Sequence, residues 1–138
     1  GGDAIDISGG EVHLSDMLVQ DVKDKGISAG EGSKVNIESS KISRVGVGIA
    51  SKDGSVVQAK YTSILESNLF DLMTYSKKSF FDKSSLIFKN DSQEIVTSVR
   101  QKNSYLKVND TEVTAKKLDV EKLYKNSVMS KWLILDMK

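Results

Sequence analysis

The chain has 138 residues, 38% of them hydrophobic, which is enough for one domain with a buried core but too short for two ordinary domains. Twenty basic and 19 acidic residues leave a net charge of +1, so no global electrostatic field attracts nucleic acid or an anionic membrane. The absence of cysteine excludes disulfides, thiolate metal sites and cysteine nucleophiles. No apolar run is long enough to span a membrane, and with neither a starting methionine nor a signal-peptide pattern we expect a fragment of a longer protein.

The chain begins with two short predicted strands separated by Gly9-Gly10. Ile5 alternates with Ile7, and Val12 alternates with Leu14, with a polar residue inside each pair. A period of two is typical of strands that bury one face. We therefore expect a first coil made of strands and a glycine turn.

From residue 26 to residue 69 one pattern is written twice. Short alternating strands and Gly/Ser turns recur, and matched residues lie 22 positions apart. A repeat of this length with no helical period predicts a solenoid whose coils stack in parallel. The matched segments are Gly26-Ile27-Ser28-Ala29 with Gly48-Ile49-Ala50-Ser51, Gly32-Ser33-Lys34-Val35-Asn36-Ile37 with Gly54-Ser55-Val56-Val57-Gln58-Ala59, and Ile42 with Ile64.

The same period predicts which side chains point inward. The inward set of the second and third coils consists of Ile27, Ala29, Val35, Ile37, Ile42, Val45, Val47, Ile49, Val57, Ala59, Ile64 and Leu69.

The fourth coil carries an insertion. It begins at Phe70, but its next strand, Leu86-Ile87-Phe88, comes later than the 22-residue period predicts. We expect the excess to form an outward loop over roughly Tyr75 to Ser84.

A fifth coil is predicted from Asn103 to Val108, followed by Val113. This segment superposes on Gly32 to Ile37 and on Ile42 with a constant offset of 71 residues. Asn takes the place of Gly at the turn, as a left-handed backbone conformation permits.

The period fades after about residue 114. Val120, Leu123 and Tyr124 have helical spacing behind a predicted Asp119 cap, and a near-continuous apolar run spans Lys131 to Lys138. We expect the coils to occupy about residues 3–113 and a helix/strand cap about residues 114–138. The N-terminal coil has no such cap, so we expect further coils upstream or end-to-end self-association of two copies there.

These patterns predict an all-β fold, a right-handed single-stranded parallel β-helix of about five coils in a single domain. The right hand follows from the preferred crossover between parallel strands. The alternative is an antiparallel sandwich of hairpins, which also contains many short alternating strands. Hairpins, however, do not require equivalent residues to recur at a fixed interval.

Three segments carry a resemblance to a known family. Asp24-Lys25-Gly26-Ile27-Ser28-Ala29-Gly30-Glu31-Gly32-Ser33, Gly48-Ile49-Ala50-Ser51-Lys52-Asp53-Gly54-Ser55 and Tyr75-Ser76-Lys77-Lys78 resemble the right-handed parallel β-helix repeats of bacterial exported and surface proteins in the pectate-lyase-like superfamily. The resemblance covers roughly residues 3–91 and concerns architecture. It implies a secreted or cell-surface location outside the cytoplasm and a link to polysaccharide or the cell envelope.

Glu31 and Asp53 precede matched Gly-Ser turns, so stacking places their carboxylates on adjacent coils, about 4.8 Å apart at the backbone. Like charges this close need a cation or a raised pKa. One interpretation is a calcium site or a general-acid pair. The other is that both carboxylates point to water and are compensated by Lys34 or Lys52.

The inserted loop combines aromatic and basic residues. Exposed rings can stack on sugars, and ammonium groups can pair with acidic saccharides, so the loop is the candidate carbohydrate-binding site. Its alternative is a loop that folds its Phe side chains onto the solenoid wall. The candidate residues are Tyr75, Lys77, Lys78, Phe80 and Phe81, with Lys83 in the same loop and Tyr61 and Tyr105 as further outward aromatics.

No complete catalytic motif is present. The lyases of the superfamily use an acidic calcium cluster with an Arg or Lys base, whereas Arg44 and Arg100 are the only arginines and lie on separate coils. His13 is predicted to face outward on a strand. The serines Ser8, Ser28 and Ser51 have no base partner in the pattern, so a nucleophilic triad is not supported.

The predicted function is therefore a non-catalytic structural or carbohydrate-binding module of an exported or cell-surface bacterial protein. The alternative is the terminal part of a polysaccharide-processing enzyme whose active site lies on missing coils. We expect no cofactor apart from the calcium alternative, no nucleic-acid partner and no membrane span.

Overall fold

The computed structural model describes residues 2–91 and 95–125. Within these residues the chain forms twelve strands and one short helix. The strands are β1 (Ile5–Ser8), β2 (Glu11–Ser15), β3 (Leu18–Gly30), β4 (Lys34–Glu38), β5 (Lys41–Lys52), β6 (Val56–Lys60), β7 (Ser63–Tyr75), β8 (Ser85–Lys89), β9 (Ser98–Gln101), β10 (Tyr105–Val108), β11 (Thr111–Glu112) and β12 (Ala115–Lys116), and the helix is α1 (Val120–Lys125).

The strands alternate between two sheets as the chain winds. One sheet, the long-strand sheet, has the order β1-β3-β5-β7-β9-β12, and the other, the short-strand sheet, has the order β11-β10-β8-β6-β4-β2. All neighbours pair in parallel except β10 and β11. A chain that returns to the same sheet one strand further on at every pass is a solenoid of about five coils, as predicted.

The predicted register is confirmed. Ile27 pairs with Ile5 on one side and with Ile49 on the other, and Ile49 pairs with Leu72. In the short-strand sheet Val12, Val35, Val57, Leu86 and Leu106 form an equivalent column. Apolar side chains of successive coils thus lie on one another and build one continuous interior.

The coils turn at corners where the backbone takes a left-handed conformation. Positive φ angles recur at Glu31 and Asp53 at one corner, at Ser39 and Tyr61 at the second, and at Asp21, Arg44 and Glu66 at the third. Buried serines follow the first corner, where the Ser33 and Ser55 hydroxyls lie 3.1 Å apart. The repeat therefore stacks corners as well as core residues.

Successive backbones also come very close together within β5, a few residues after the third corner. A Cβ added to Gly48 would lie 2.5 Å from the carbonyl oxygen of Asp71 on the next coil. Only glycine fits such a contact, which explains the glycine at position 48.

A second apolar cluster lies on the outer side of the long-strand sheet. It includes Val47 and Leu69, so the prediction that these two side chains point into the interior is wrong, although both are buried. Leu118 and Leu123 cover this cluster. The chain around α1 therefore packs against the side of the coils. The predicted Asp119 cap is confirmed, because its carboxylate accepts a hydrogen bond from the Lys122 N–H at 3.0 Å.

The fifth coil departs from its predicted course after Val108. Asn109 and Asp110 have positive φ, and β11 folds back antiparallel on β10, so that the Val113 N–H bonds the Leu106 carbonyl at 2.9 Å. The prediction that Val113 superposes on Ile42 is wrong for this reason. The predicted apolar run from Lys131 lies outside the described residues.

Candidate functional site

The insertion of the fourth coil forms the rim loop, residues 76–84, between β7 and β8. Backbone hydrogen bonds tie it to two other coils. The N–H groups of Lys77 and Lys78 both donate to Asp53 Oδ1 at 2.7 Å, and the Ser76 N–H donates to Gln101 Oε1 at 2.8 Å. The Ser84 hydroxyl closes the base by donating to the Tyr75 carbonyl at 3.1 Å. The loop is therefore attached to the coils at both of its ends.

Asp53 is the main anchor of the rim loop. Its side chain is 1% exposed, and its backbone is left-handed at the corner before Gly54. A Cβ on Gly54 would lie 3.3 Å from the Asp82 nitrogen, so the loop rests directly on this corner. A buried carboxylate that accepts two N–H bonds has its charge well satisfied.

An ion pair fastens the loop to the second coil. Lys78 Nζ lies 2.5 Å from Glu31 Oε1, and the Ser8 hydroxyl donates to Glu31 Oε2 at 2.8 Å. The hydrogen bond from Lys78, with a smaller one from Ser8, lowers the pKa of Glu31, and the same bond raises the pKa of Lys78. Lys78 thus attaches the rim loop to the second coil, and its charge is paired with the carboxylate of Glu31.

The tip of the loop displays an aromatic pair. Phe80 is 79% exposed, whereas Phe81 is half-buried. Their ring centroids are 4.8 Å apart at an interplanar angle of 35°. One ring thus supports the other, and the outer ring offers its surface to solvent.

Basic side chains surround a concave surface beside these rings. The cavity measures about 350 Å³ and is lined by Lys77, Lys83 and Lys102, with Asp82 as the one acidic neighbour. Lys83 and Lys102 are exposed and form no ion pair with any residue of 2–91 or 95–125. The local charge is therefore positive, although the chain as a whole is nearly neutral.

The predicted position of one candidate residue, Tyr75, is wrong. Tyr75 was expected to face outward, but its side chain is fully buried. Because β7 continues through this position, the ring packs with Met73 and Val99 in the outer cluster. A ring without exposed surface cannot stack on a sugar, so Tyr75 leaves the candidate set.

The two carboxylates proposed for calcium have partners within the chain. Asp53 holds the rim loop and Glu31 holds Lys78, as described above. Across residues 2–91 and 95–125, no group of three His, Cys, Asp or Glu side chains is placed to hold a metal ion. A calcium site at these positions stays a prediction from sequence alone.

The remaining polar candidates occupy structural positions or the surface. Arg44 forms an ion pair with Asp21 at 2.6 Å, and Arg100 donates to the carbonyls of Val113 and Ser104. His13 is exposed on β2, as predicted. No helix among the described residues is long and apolar enough to cross a membrane.

Two residues of the site are not among the binding residues predicted from the sequence. Gln101 and Lys102 lie at the fifth-coil turn and border the rim loop. The offset of 71 residues places Lys102 at the same corner as Glu31, and this could have located it beside the loop.

Comparison of the chain with protein-family models, with curated proteins and with solved structures finds no match. The functional argument therefore rests on the geometry of the site.

Proposed function

We propose that the chain is a non-catalytic solenoid module that binds an acidic polysaccharide through its rim loop. The module belongs in this view to a secreted or cell-surface bacterial protein that contacts the cell envelope. The observation that carries the proposal is that the exposed Phe80 packs against Phe81, which lines the cationic cavity of Lys77, Lys83 and Lys102, on a loop that is hydrogen-bonded to Asp53.

Each part of this arrangement has a role in binding. An exposed ring offers a flat apolar surface to the C–H face of a sugar, and ammonium groups pair with carboxylate or sulfate groups beside it. The hydrogen bonds to Asp53 keep the loop ordered before binding. Less conformational freedom is then lost when the ligand arrives.

The test is a titration of the full chain with acidic oligosaccharides and with neutral ones of equal length. We expect binding to the acidic series, and a loss of about tenfold in affinity for Phe80→Ala and for Lys83→Ala. Lys23→Ala is the matched control, because Lys23 is also exposed and its removal changes the net charge equally. Absence of binding to every acidic oligosaccharide, or equal losses for Lys23→Ala and Lys83→Ala, would refute the proposal.

A further inference from the structure

A second exposed aromatic residue, Tyr61, lies at the second corner of the coils. Tyr61 follows β6, is 66% exposed, and separates two concave surfaces of about 410 and 420 Å³. The groups lining these surfaces are hydroxyls, amides, carboxylates and ammonium groups. They include Lys60, Lys89, Asn90 and Asn109, together with the carboxylates of Asp91 and Asp110.

The backbone at Tyr61 gives no structural reason for an aromatic residue. Its φ is 52°, and the equivalent corners of the two preceding coils carry Asp16 and Ser39. A bulky residue in the left-handed region is less stable there than Asn, Asp or Gly. Because Tyr61 is 66% exposed, burial of its side chain offsets little of this cost in stability.

The polar groups beside Tyr61 are held in place. The Asn90 N–H donates to Asn109 Oδ1 at 2.8 Å, and Asn109 Nδ2 donates to Asn90 Oδ1 at 2.9 Å. Lys89 forms an exposed ion pair with Asp110 at 3.6 Å. A ring with fixed amides on one side is the kind of surface that recognises a hydroxyl-rich molecule.

One strand connects this corner to the rim loop. The loop ends at Ser84, β8 runs from Ser85 to Lys89, and Asn90 follows beside Tyr61. Five strand residues span about 17 Å. The outer face between the two corners is open, with Val56 42% and Ile87 39% exposed.

We propose that Tyr61 and its amide pair form a second saccharide subsite, and that one acidic polysaccharide chain crosses the short-strand sheet from the rim loop to Tyr61. Lys60 and Lys89 pair in register on this face, but Asp110 pairs with Lys89 and Asp91 borders both concave surfaces. The Tyr61 end therefore carries no excess positive charge, so it would contact the sugar through the ring and the amides, while the cations of the rim loop hold the acidic groups. This inference rests on the proposed function of the rim loop. It adds a requirement for ligand length, because two sites on one rigid wall strengthen binding only when a single chain reaches both.

Tyr61→Asn tests the inference, because Asn suits the left-handed corner and removes only the ring. We expect a melting temperature no lower than that of the wild type. We expect about tenfold weaker binding of a long acidic oligosaccharide, and a change within about twofold in the affinity of the rim loop for a disaccharide of the same sugar, which is too short to span both sites. Tyr61→Phe, which keeps the ring, should bind the long oligosaccharide within about twofold of the wild type.

The outcomes separate this inference from the proposed function. If Phe80→Ala weakens binding and Tyr61→Asn does not, the loop site stands and the second subsite is refuted. If the wild type binds no acidic oligosaccharide, both are refuted. Tighter binding of a single-stranded oligonucleotide of equal charge would overturn the ligand class.

Discussion

At the scale of single residues, the corners constrain this chain as strongly as the core does. Asp, Glu, Ser and Asn occupy most of the left-handed positions, since short polar side chains tolerate that conformation better than bulky ones. Strand β5 adds a steric limit, because the carbonyl oxygen of Asp71 leaves no space for a side chain at Gly48.

Gly48→Ala should therefore destabilise the fold. The added Cβ would lie 2.5 Å from a backbone oxygen, so two coils must move apart, at an expected loss of about 1–3 kcal/mol in the free energy of unfolding. Urea denaturation measures this loss. Gly2→Ala is the control, since nothing lies within 4 Å of its Cβ position. Equal stability of the two variants would contradict the close approach of the backbones.

At the scale of elements, the rim loop depends on contacts that cross several coils. Asp53 holds its backbone, and the ion pair between Lys78 and Glu31 joins residues 47 positions apart. The ion pair is exposed, so its contribution to global stability is small. We expect the ion pair to affect mainly how well ordered the rim loop is.

The order of the rim loop should depend on pH. The folded state lowers the pKa of Glu31 below its ordinary value of 4.5. The ion pair with Lys78 is therefore intact above pH 4.5 and is lost as the pH falls through the lowered pKa. The folded state raises the pKa of Lys78 above its ordinary value of 10.5. The ion pair with Glu31 is therefore intact below pH 10.5 and is lost as the pH rises through the raised pKa. Heteronuclear NOE values for residues 76–84 should fall at both extremes and stay constant between them.

Glu31→Gln provides the control for this prediction. It removes the charge but keeps a side chain that can accept a hydrogen bond from Ser8. Its loop should show the reduced NOE values at neutral pH and little further change on acidification. A loop that stays equally ordered in the variant and in acid would show that Lys78 and Glu31 do not hold it.

At the scale of the whole molecule, the two ends of the described coils differ. The hairpin of β10 and β11 ends the short-strand sheet, and β12 ends the long-strand sheet. At the other end, β1 and β2 each pair on one side only among residues 2–91 and 95–125, and Ile5 and Val12 are only partly buried against the core. Unpaired strand edges beside apolar side chains favour association with another chain.

These edges suit either a further coil or a second copy of the chain, and self-association of the 138-residue chain through β1 and β2 tests the second alternative. Sedimentation velocity over a wide concentration range should show a dimer at the upper end. Ile5→Lys should prevent it, because it places a charge at the open end of the core, whereas His13→Lys on the outer face of β2 should not. A strictly monomeric wild type at the highest concentration would rule out this mode of association.

The solenoid could be predicted from the sequence because residues that lie one repeat apart pair with each other when the coils stack. Once Ile27 and Ile49 are recognised as equivalent, their pairing follows, and the alternation of polar and apolar residues identifies most of the interior. The rim loop was also predictable, since an excess over the period must leave the coil.

The contacts made by residues outside the repeat were decided by the tertiary structure. Nothing in the pattern places Lys78 on Glu31, buries Tyr75 against Val99, or lays Leu118 and Leu123 over the outer face of the long-strand sheet. A period specifies neighbours one coil away on the same face. An inserted loop and a chain end have no such reference, so their positions depend on the shape of the surface that the finished coils present.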